Sequence, residues 1–458
     1  MTKDEISRRE FLAVAGAAPL SASLASGVVS ETKTEEKPSR PSGKLKFSCM
    51  VTLEDWTYGA GTWGEVGIRY ILRRLADSGF YRVFWRTSGS GQASYPSKIA
   101  TPISFFAPYD RKKYPEHFKW LVSMNKKPWF GFSTESGGWG YGDDPQLGSQ
   151  AIDFSNFDSV GIARDMSRKL GMQFWLWHEH AEDHGALGQI GRMGLRHPEW
   201  FTMNRDGKAS HCRFSMAIPP AMDYRLAWVR ELLEYEPDGI YFDFAKSMES
   251  SRGVGCTPHY DDKGVWYCTY DKPALEAFKK KTGRDPFKIP NDDDEWVRFR
   301  ADYMTDFVRR VREMQRSTYP KIKIGLFGSP NGRAGLSLSD KVVPLADPLS
   351  AFLEDHETWT RKGLVEEFVN AYTSGIDQKD AGKIKATIAD SRSRVQAPCR
   401  YLGSQIESYT PKDEKSLAER VEAAAEAGCE EVVFFESTPL QWNNTWDAAY
   451  SIIRKYGA

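Results

Sequence analysis

The stretch Glu236-Pro-Asp-Gly-Ile-Tyr-Phe-Asp243-Phe-Ala-Lys246 carries the reading of the fold. Pro237, Asp238 and Gly239 make a turn, and the apolar run after them ends in a carboxylate. Apolar residues bounded by turn residues, without polar alternation, read as a strand buried on both faces, the pattern of a parallel sheet covered by helices. On a (β/α)₈ barrel Asp243 stands at the C-terminal rim, where such barrels place their chemistry. The plainer alternative makes Asp243 a cap on the next helix or an ion-pair partner of Lys246.

Working outward, eight strand candidates alternate with helical stretches. The strands are 46–51, 82–86, 173–177, 239–244, 323–327, 349–354, 400–407 and 431–436. The amphipathic stretches are 66–78, 158–170, 224–234, 296–317, 360–372, 415–427 and 446–456. Such alternation argues for βαβ units and a parallel sheet. Eight units ending in a helix predict an α/β fold, a (β/α)₈ TIM barrel. Its βα loops after strands two and three (87–157 and 178–222) are long and rich in Trp, Tyr and His. No Gly-x-Gly-x-x-Gly turn follows the first strand, so dinucleotide binding is unsupported and no cofactor is expected.

The ends and the composition narrow the class. Ser7-Arg8-Arg9-Glu10-Phe11-Leu12 opens an Ala-rich apolar run that closes on small residues near Ala25. This reads as a twin-arginine export signal over 1–30, followed by a disordered linker over 31–44 and a barrel domain over 45–458. The expected location is periplasmic or secreted. No later segment has the roughly 18 apolar residues in a row that a membrane span needs. The 62 basic and 62 acidic residues cancel, so neither a nucleic acid nor a highly charged partner is indicated. Six Cys are too few for a disulfide scaffold; Cys256 and Cys268 flank one polar loop and are the pair an oxidising compartment allows to bridge.

Carboxylates at strand ends are the chemical signal. Glu54 and Asp55 follow the first strand, Asp243 ends the fourth, Glu354 and Asp355 the sixth, Glu407 the seventh and Glu436 the eighth. Cleaving a glycosidic bond takes two carboxyl groups, one to protonate the leaving oxygen and one to act as nucleophile or base. Each acid alone also suits a helix N-terminus. His178-Glu179-His180 with Asp183 and His184 raises a metal reading, but no established zinc spacing is met, and His and Glu beyond a barrel strand equally suit sugar hydroxyls. Trp56, Trp177, Trp359 and Trp442 lie at or beyond strand ends and suit the floor of a sugar subsite. Neither a Gly-x-Ser-x-Gly elbow nor a phosphate loop is present, which leaves serine hydrolysis unsupported.

Taken together, His197-Pro-Glu-Trp-Phe, Asn204-Arg-Asp-Gly, Asp238-Gly-Ile-Tyr-Phe-Asp243-Phe and the helix from Arg300 resemble exported bacterial proteins of the family 10 glycosylhydrolase type. The Asp-Gly-Ile-Tyr-Phe-Asp strand is similar to the nucleophile strand of retaining α-galactosidases and α-fucosidases. That resemblance implies Asp243 as nucleophile and Glu354 or Asp355 as acid/base, with Glu407 as the partner a different barrel clan would use. The expectation is an exported glycoside hydrolase acting on an oligo- or polysaccharide. His178, His180, Trp177, Trp56, Lys246, Glu436 and Trp359 would line its sugar site, without a metal. A sugar-binding barrel without activity, and a metal-dependent hydrolase or deacetylase built on His178, His180 and His184, are the other classes the residues allow.

Overall fold

A computed structural model of the chain describes residues 45–56, 64–89, 91–103, 154–180, 183, 192–243, 260–328, 336–338, 341–343, 347–370, 380–407 and 414–457. Eight parallel strands close into a barrel: β1 (Lys46–Val51), β2 (Arg82–Arg86), β3 (Gln173–His178), β4 (Gly239–Asp243), β5 (Lys323–Gly328), β6 (Glu367–Asn370), β7 (Arg400–Glu407) and β8 (Glu431–Phe435). Each strand pairs with its successor, and β8 returns to β1 with Lys46 opposite Glu431. Around it lie α1 (Gly64–Asp77), α2 (Ser159–Lys169), α3 (Pro219–Leu233), α4 (Asp294–Thr318), α5 (Ala381–Arg394), α6 (Glu414–Glu426) and α7 (Trp446–Tyr456). This is the (β/α)₈ architecture the alternation predicts. The two ends of the barrel chain meet, since Leu45 bridges Gly457 and its amide donates to the Tyr456 carbonyl at 3.1 Å.

Two apolar layers hold the barrel. Alternate residues fill the lumen: Met50, Phe84, Trp175, Trp177, Tyr241, Phe327, Val369, Leu402 and Val433, all buried. Their neighbours in sequence, such as Cys49, Val83, Leu176, Phe242 and Phe434, face the helices. Five large aromatic side chains cannot share a lumen of this size unless small residues sit opposite them. Gly239 lies directly under the Trp175 ring and Gly325 under the Tyr241 ring, so close that a Cβ at either position would overlap the ring.

The base of the lumen is charged but balanced. Arg82 on β2 pairs with Glu431 on β8 and with Glu367 on β6 (2.8 Å), and Lys323 Nζ reaches the other oxygen of Glu367 at 2.8 Å. The Tyr81 hydroxyl donates to Glu431 at 2.6 Å, and the Arg82 guanidinium lies 4.6 Å from the Trp175 ring centre. Burial alone would raise the Glu367 carboxyl, but Arg82 and Lys323 overcome it and hold it below the usual range.

Two expectations are corrected here. The sixth strand is Glu367–Asn370, not 349–354, and 360–372 is not one helix. Asp347 accepts from the Leu349 and Ser350 amides, Pro348 takes the first helical position, and Pro348–Phe352 forms a short helix that ends where Leu353 turns left-handed (φ 58°). Cys268, which the sequence leaves open to bridge with Cys256, is a free, buried thiol. Cys49, Cys399 and Cys429 are buried free thiols too, as expected. The twin-arginine segment, the linker, Cys256, most of the first long loop and residues 181–182 and 184–191 of the second lie outside the described residues. No helix among those described is long and apolar enough to cross a membrane.

Candidate active site

Asp243 ends β4 on the lumen side, two residues after the inward-facing Tyr241, and is 3% exposed. The strand neighbour on one side is β3, where Trp177 lies within the lumen and its indole Nε1 donates to Asp243 Oδ2 at 3.0 Å. Phe435 of β8 meets the Trp177 ring edge-on at 6.1 Å. On the other side of Trp177, the guanidinium of Arg86 at the end of β2 sits 5.3 Å from the indole centre and forms a buried ion pair with Glu179. The rim of β2, β3 and β4 therefore carries one buried constellation: Arg86, Glu179, Trp177 and Asp243. Its polar groups lie over an aromatic floor, the mixture that receives a ligand with an apolar face and hydroxylated edges.

Glu179 belongs to this group because of register. The β3–β4 register runs to His178 opposite Phe242, and Glu179 and Asp243 are the next residues along each chain at the rim. Sequence reasoning placed Glu179 only within the His-rich cluster. The period-two alternation from Trp175 through Trp177 is the signal that groups it with those two residues on one face of β3.

His178 and His180 do share a face, as their spacing requires, but it is the outer one. His178 packs edge-on against Trp228 of α3 at 4.9 Å, with Nδ1 3.1 Å from the Thr87 hydroxyl. His180 stacks on Phe307 of α4 at 5.4 Å. Burial, with Arg225 adding to it, pushes the His178 imidazole down to about 3 and lowers His180 as well. Asp183, of the same cluster, pairs with Arg225 and accepts from the Phe214 amide at 2.7 Å. This is a neutral-histidine packing layer, and among the described residues no three His, Cys, Asp or Glu side chains are grouped to hold a metal ion. His184 lies outside the described residues.

The remaining expected site residues are spread over three other places. Trp56 stacks on Trp85 at 5.9 Å, and Trp359 donates to the Thr305 hydroxyl at 2.8 Å; both are buried between barrel and helices rather than in the lumen. Asp355 caps the short helix His356–Arg361 through the Thr358 amide at 3.0 Å. Glu354 is buried beside it, with Oε2 3.0 Å from His356 Nε2; the His356 ring in turn lies against Gly328 at the end of β5. Both acids thus follow β5 and precede β6, instead of ending the sixth strand.

Glu436 follows β8 in a left-handed conformation (φ 65°). Asp55 holds that corner: its buried carboxylate accepts from Thr52, from the Ser437 hydroxyl at 2.8 Å and from the Thr438 amide and hydroxyl. Burial nonetheless leaves the Asp55 carboxyl raised. Glu407 ends β7 opposite Phe435, but its side chain, like those of Lys246 and Trp442, lies outside the described residues.

No curated protein matches the chain in sequence. Solved structures that resemble it include an α-galactosidase from Lactobacillus brevis (13% identity over 91% of this chain and 41% of that one, TM-score 0.42). Another is the catalytic domain of a β-amylase from Paenibacillus polymyxa (10% identity, 90% and 97% covered, TM-score 0.49). A third is a family 36 α-galactosidase from Geobacillus stearothermophilus in complex with stachyose (14% identity, 90% and 42% covered, TM-score 0.39). The chain spans about two-fifths of the length of the two α-galactosidases. A family model described as Glycosyl hydrolase-like 10 matches residues 149–399, which include β3 through β6 and therefore Glu179 and Asp243. The chain belongs to the Glycosyl hydrolase-like 10 family.

Proposed function

We propose that this barrel is an exported glycoside hydrolase that cleaves glycosidic bonds of an oligo- or polysaccharide with two rim carboxylates, one of them Asp243. The observation that carries the reading is the placement of Asp243 in the lumen at the C-terminal rim, fixed by the Trp177 indole. Barrel enzymes place reacting groups at this rim, and the hydrogen bond pins the carboxylate in one orientation, which a reacting group requires. Trp177 and Phe435 supply an apolar surface beside it for a sugar ring. Family membership supports the reaction class, and the N-terminal arginine pair supports export.

The test is turnover of a panel of aryl glycosides and oligosaccharides by the purified chain. Asp243→Asn is expected to cut turnover of the unactivated members of the panel by at least about 10²-fold while leaving saccharide affinity within a few-fold of wild type. Binding without turnover by the wild type across the panel would replace this reading with that of a sugar-binding barrel. Activity that is lost to a chelator and restored by zinc would replace it with metal-dependent hydrolysis.

A further inference from the structure

We propose that Glu179 is the second catalytic carboxylate, and that Glu179 and Asp243 form a retaining pair with Glu179 as nucleophile and Asp243 as acid/base. The inference rests on the glycosidase reading above and exchanges the role that resemblance to α-galactosidases implies for Asp243.

Three observations carry it. The first is position: β3 and β4 pair in register up to His178 and Phe242, and one further step sets Glu179 beside Asp243. Both follow lumen-facing aromatics, Trp177 and Tyr241, at an interval of two, so both project over the lumen. The second is separation. The two acids come from neighbouring strands, whose backbones run about 4.8 Å apart, a placement compatible with the roughly 5–5.5 Å between carboxyl groups in retaining glycosidases.

The third observation is that the two acids have different partners. Glu179 is ion-paired with Arg86, both of them nearly inaccessible to water, and a buried guanidinium favours the carboxylate form. Asp243 receives the neutral N–H of Trp177. We assign the nucleophile's role to the acid paired with a guanidinium and the proton-transfer role to its neighbour. The ring of Trp177 lies between Arg86 and Asp243 and keeps the guanidinium directed at Glu179.

The chemistry then runs in two steps. A Glu179 carboxylate oxygen bonds to the anomeric carbon as the bond from that carbon to the leaving oxygen breaks, and the Asp243 carboxyl gives its proton to that oxygen. In the second step Asp243, now a carboxylate, takes a proton from water. The water oxygen bonds to the anomeric carbon and the ester bond to Glu179 breaks. Glu179 leaves as carboxylate and Asp243 ends protonated, so both residues return to their starting forms.

Leaving-group dependence and azide trapping test the assignment, using a sugar that the wild type turns over. Glu179→Ala is expected to lose at least about 10⁴-fold in kcat on phenyl and dinitrophenyl glycosides alike. Azide should then yield the glycosyl azide of inverted configuration. Glu179→Gln, which keeps the side-chain volume and a hydrogen-bond acceptor for Arg86, is expected to show the same loss if folding of the Ala variant is in doubt. Asp243→Ala is expected to lose about 10²–10⁴-fold on phenyl glycosides, much less on dinitrophenyl glycosides, and to give the azide of retained configuration. A wild type that inverts, azide products of the opposite configurations, or Glu179 variants within tenfold of wild type would overturn the proposal while leaving the glycosidase reading standing. A wild type that turns over no glycoside overturns both.

Discussion

Trp177 and Asp243 meet across β3 and β4 through a hydrogen bond, indole Nε1 to carboxyl Oδ2 at 3.0 Å, with both side chains withdrawn from solvent. Trp177→Phe removes the donor and keeps most of the ring. A buried acceptor deprived of its donor costs about 1–3 kcal/mol. The expected result is a drop of roughly tenfold or more in kcat with little change in KM, read from steady-state kinetics on an aryl glycoside. Unchanged kcat would mean that the bond serves packing alone.

The charged base of the barrel is expected to act on stability and not on catalysis. Arg82→Met leaves Glu367 and Glu431 buried without their shared guanidinium. Breaking such a buried network from one side costs about 3–5 kcal/mol. Urea unfolding should show this loss, whereas kcat/KM of the folded fraction stays within a few-fold of wild type, because Arg82 lies at the opposite end of the strand from Arg86.

Gly325 is required by the ring above it. Gly325→Ala places a methyl group against Tyr241, and overpacking of this kind costs about 1–3 kcal/mol. Adding Tyr241→Leu should return part of that loss. Thermal unfolding of the single and double variants measures the coupling, and strict additivity would contradict the contact.

Acid stability should carry the signature of the outward histidines. An unfolded imidazole takes up its proton near pH 6.5, whereas folded His178 does so only near about 3. Between these values the unfolded state binds more protons, so stability falls as pH is lowered through the window, by up to about 1.4 kcal/mol per pH unit for this one group. His178→Gln should flatten the slope of unfolding free energy between pH 6 and 4 relative to wild type, as measured by urea titration at each pH.

Most of the barrel was legible because its strands are apolar runs between turn residues; β1, β2 and β7 begin and end where the sequence pattern places them. β6 was not legible. Glu366-Glu-Phe-Val-Asn370 carries two acids in a run of five, and a strand with that composition is stable only because Arg82 and Lys323 arrive from β2 and β5 to neutralise Glu367. Local pattern contains no trace of partners so distant in sequence. The Asp347-Pro348 start was a helix cap in plain sight, but the apolar residues after it imitate a strand.

The site shows the same division. The place of Asp243 follows from the strand that contains it. The outward direction of His178 and His180, and the inward one of Glu179, depend on which side of β3 faces the lumen, and Trp175 and Trp177 would suit either layer by composition. The capping role of Asp355 and the corner held by Asp55 were among the ordinary functions open to any strand-end acid.

The bridge between Leu45 and Gly457 gives the barrel a property that its strand order alone does not convey. A ring whose first and last residues touch has no privileged starting point. Joining those two residues with a short linker and opening the chain in the turn between α6 and β8, away from the rim, should produce a permuted barrel with the same neighbours at every strand. In such a protein β8 would be made first and β7 would follow the rest of the ring, yet Arg86, Glu179 and Asp243 would remain on three successive strands.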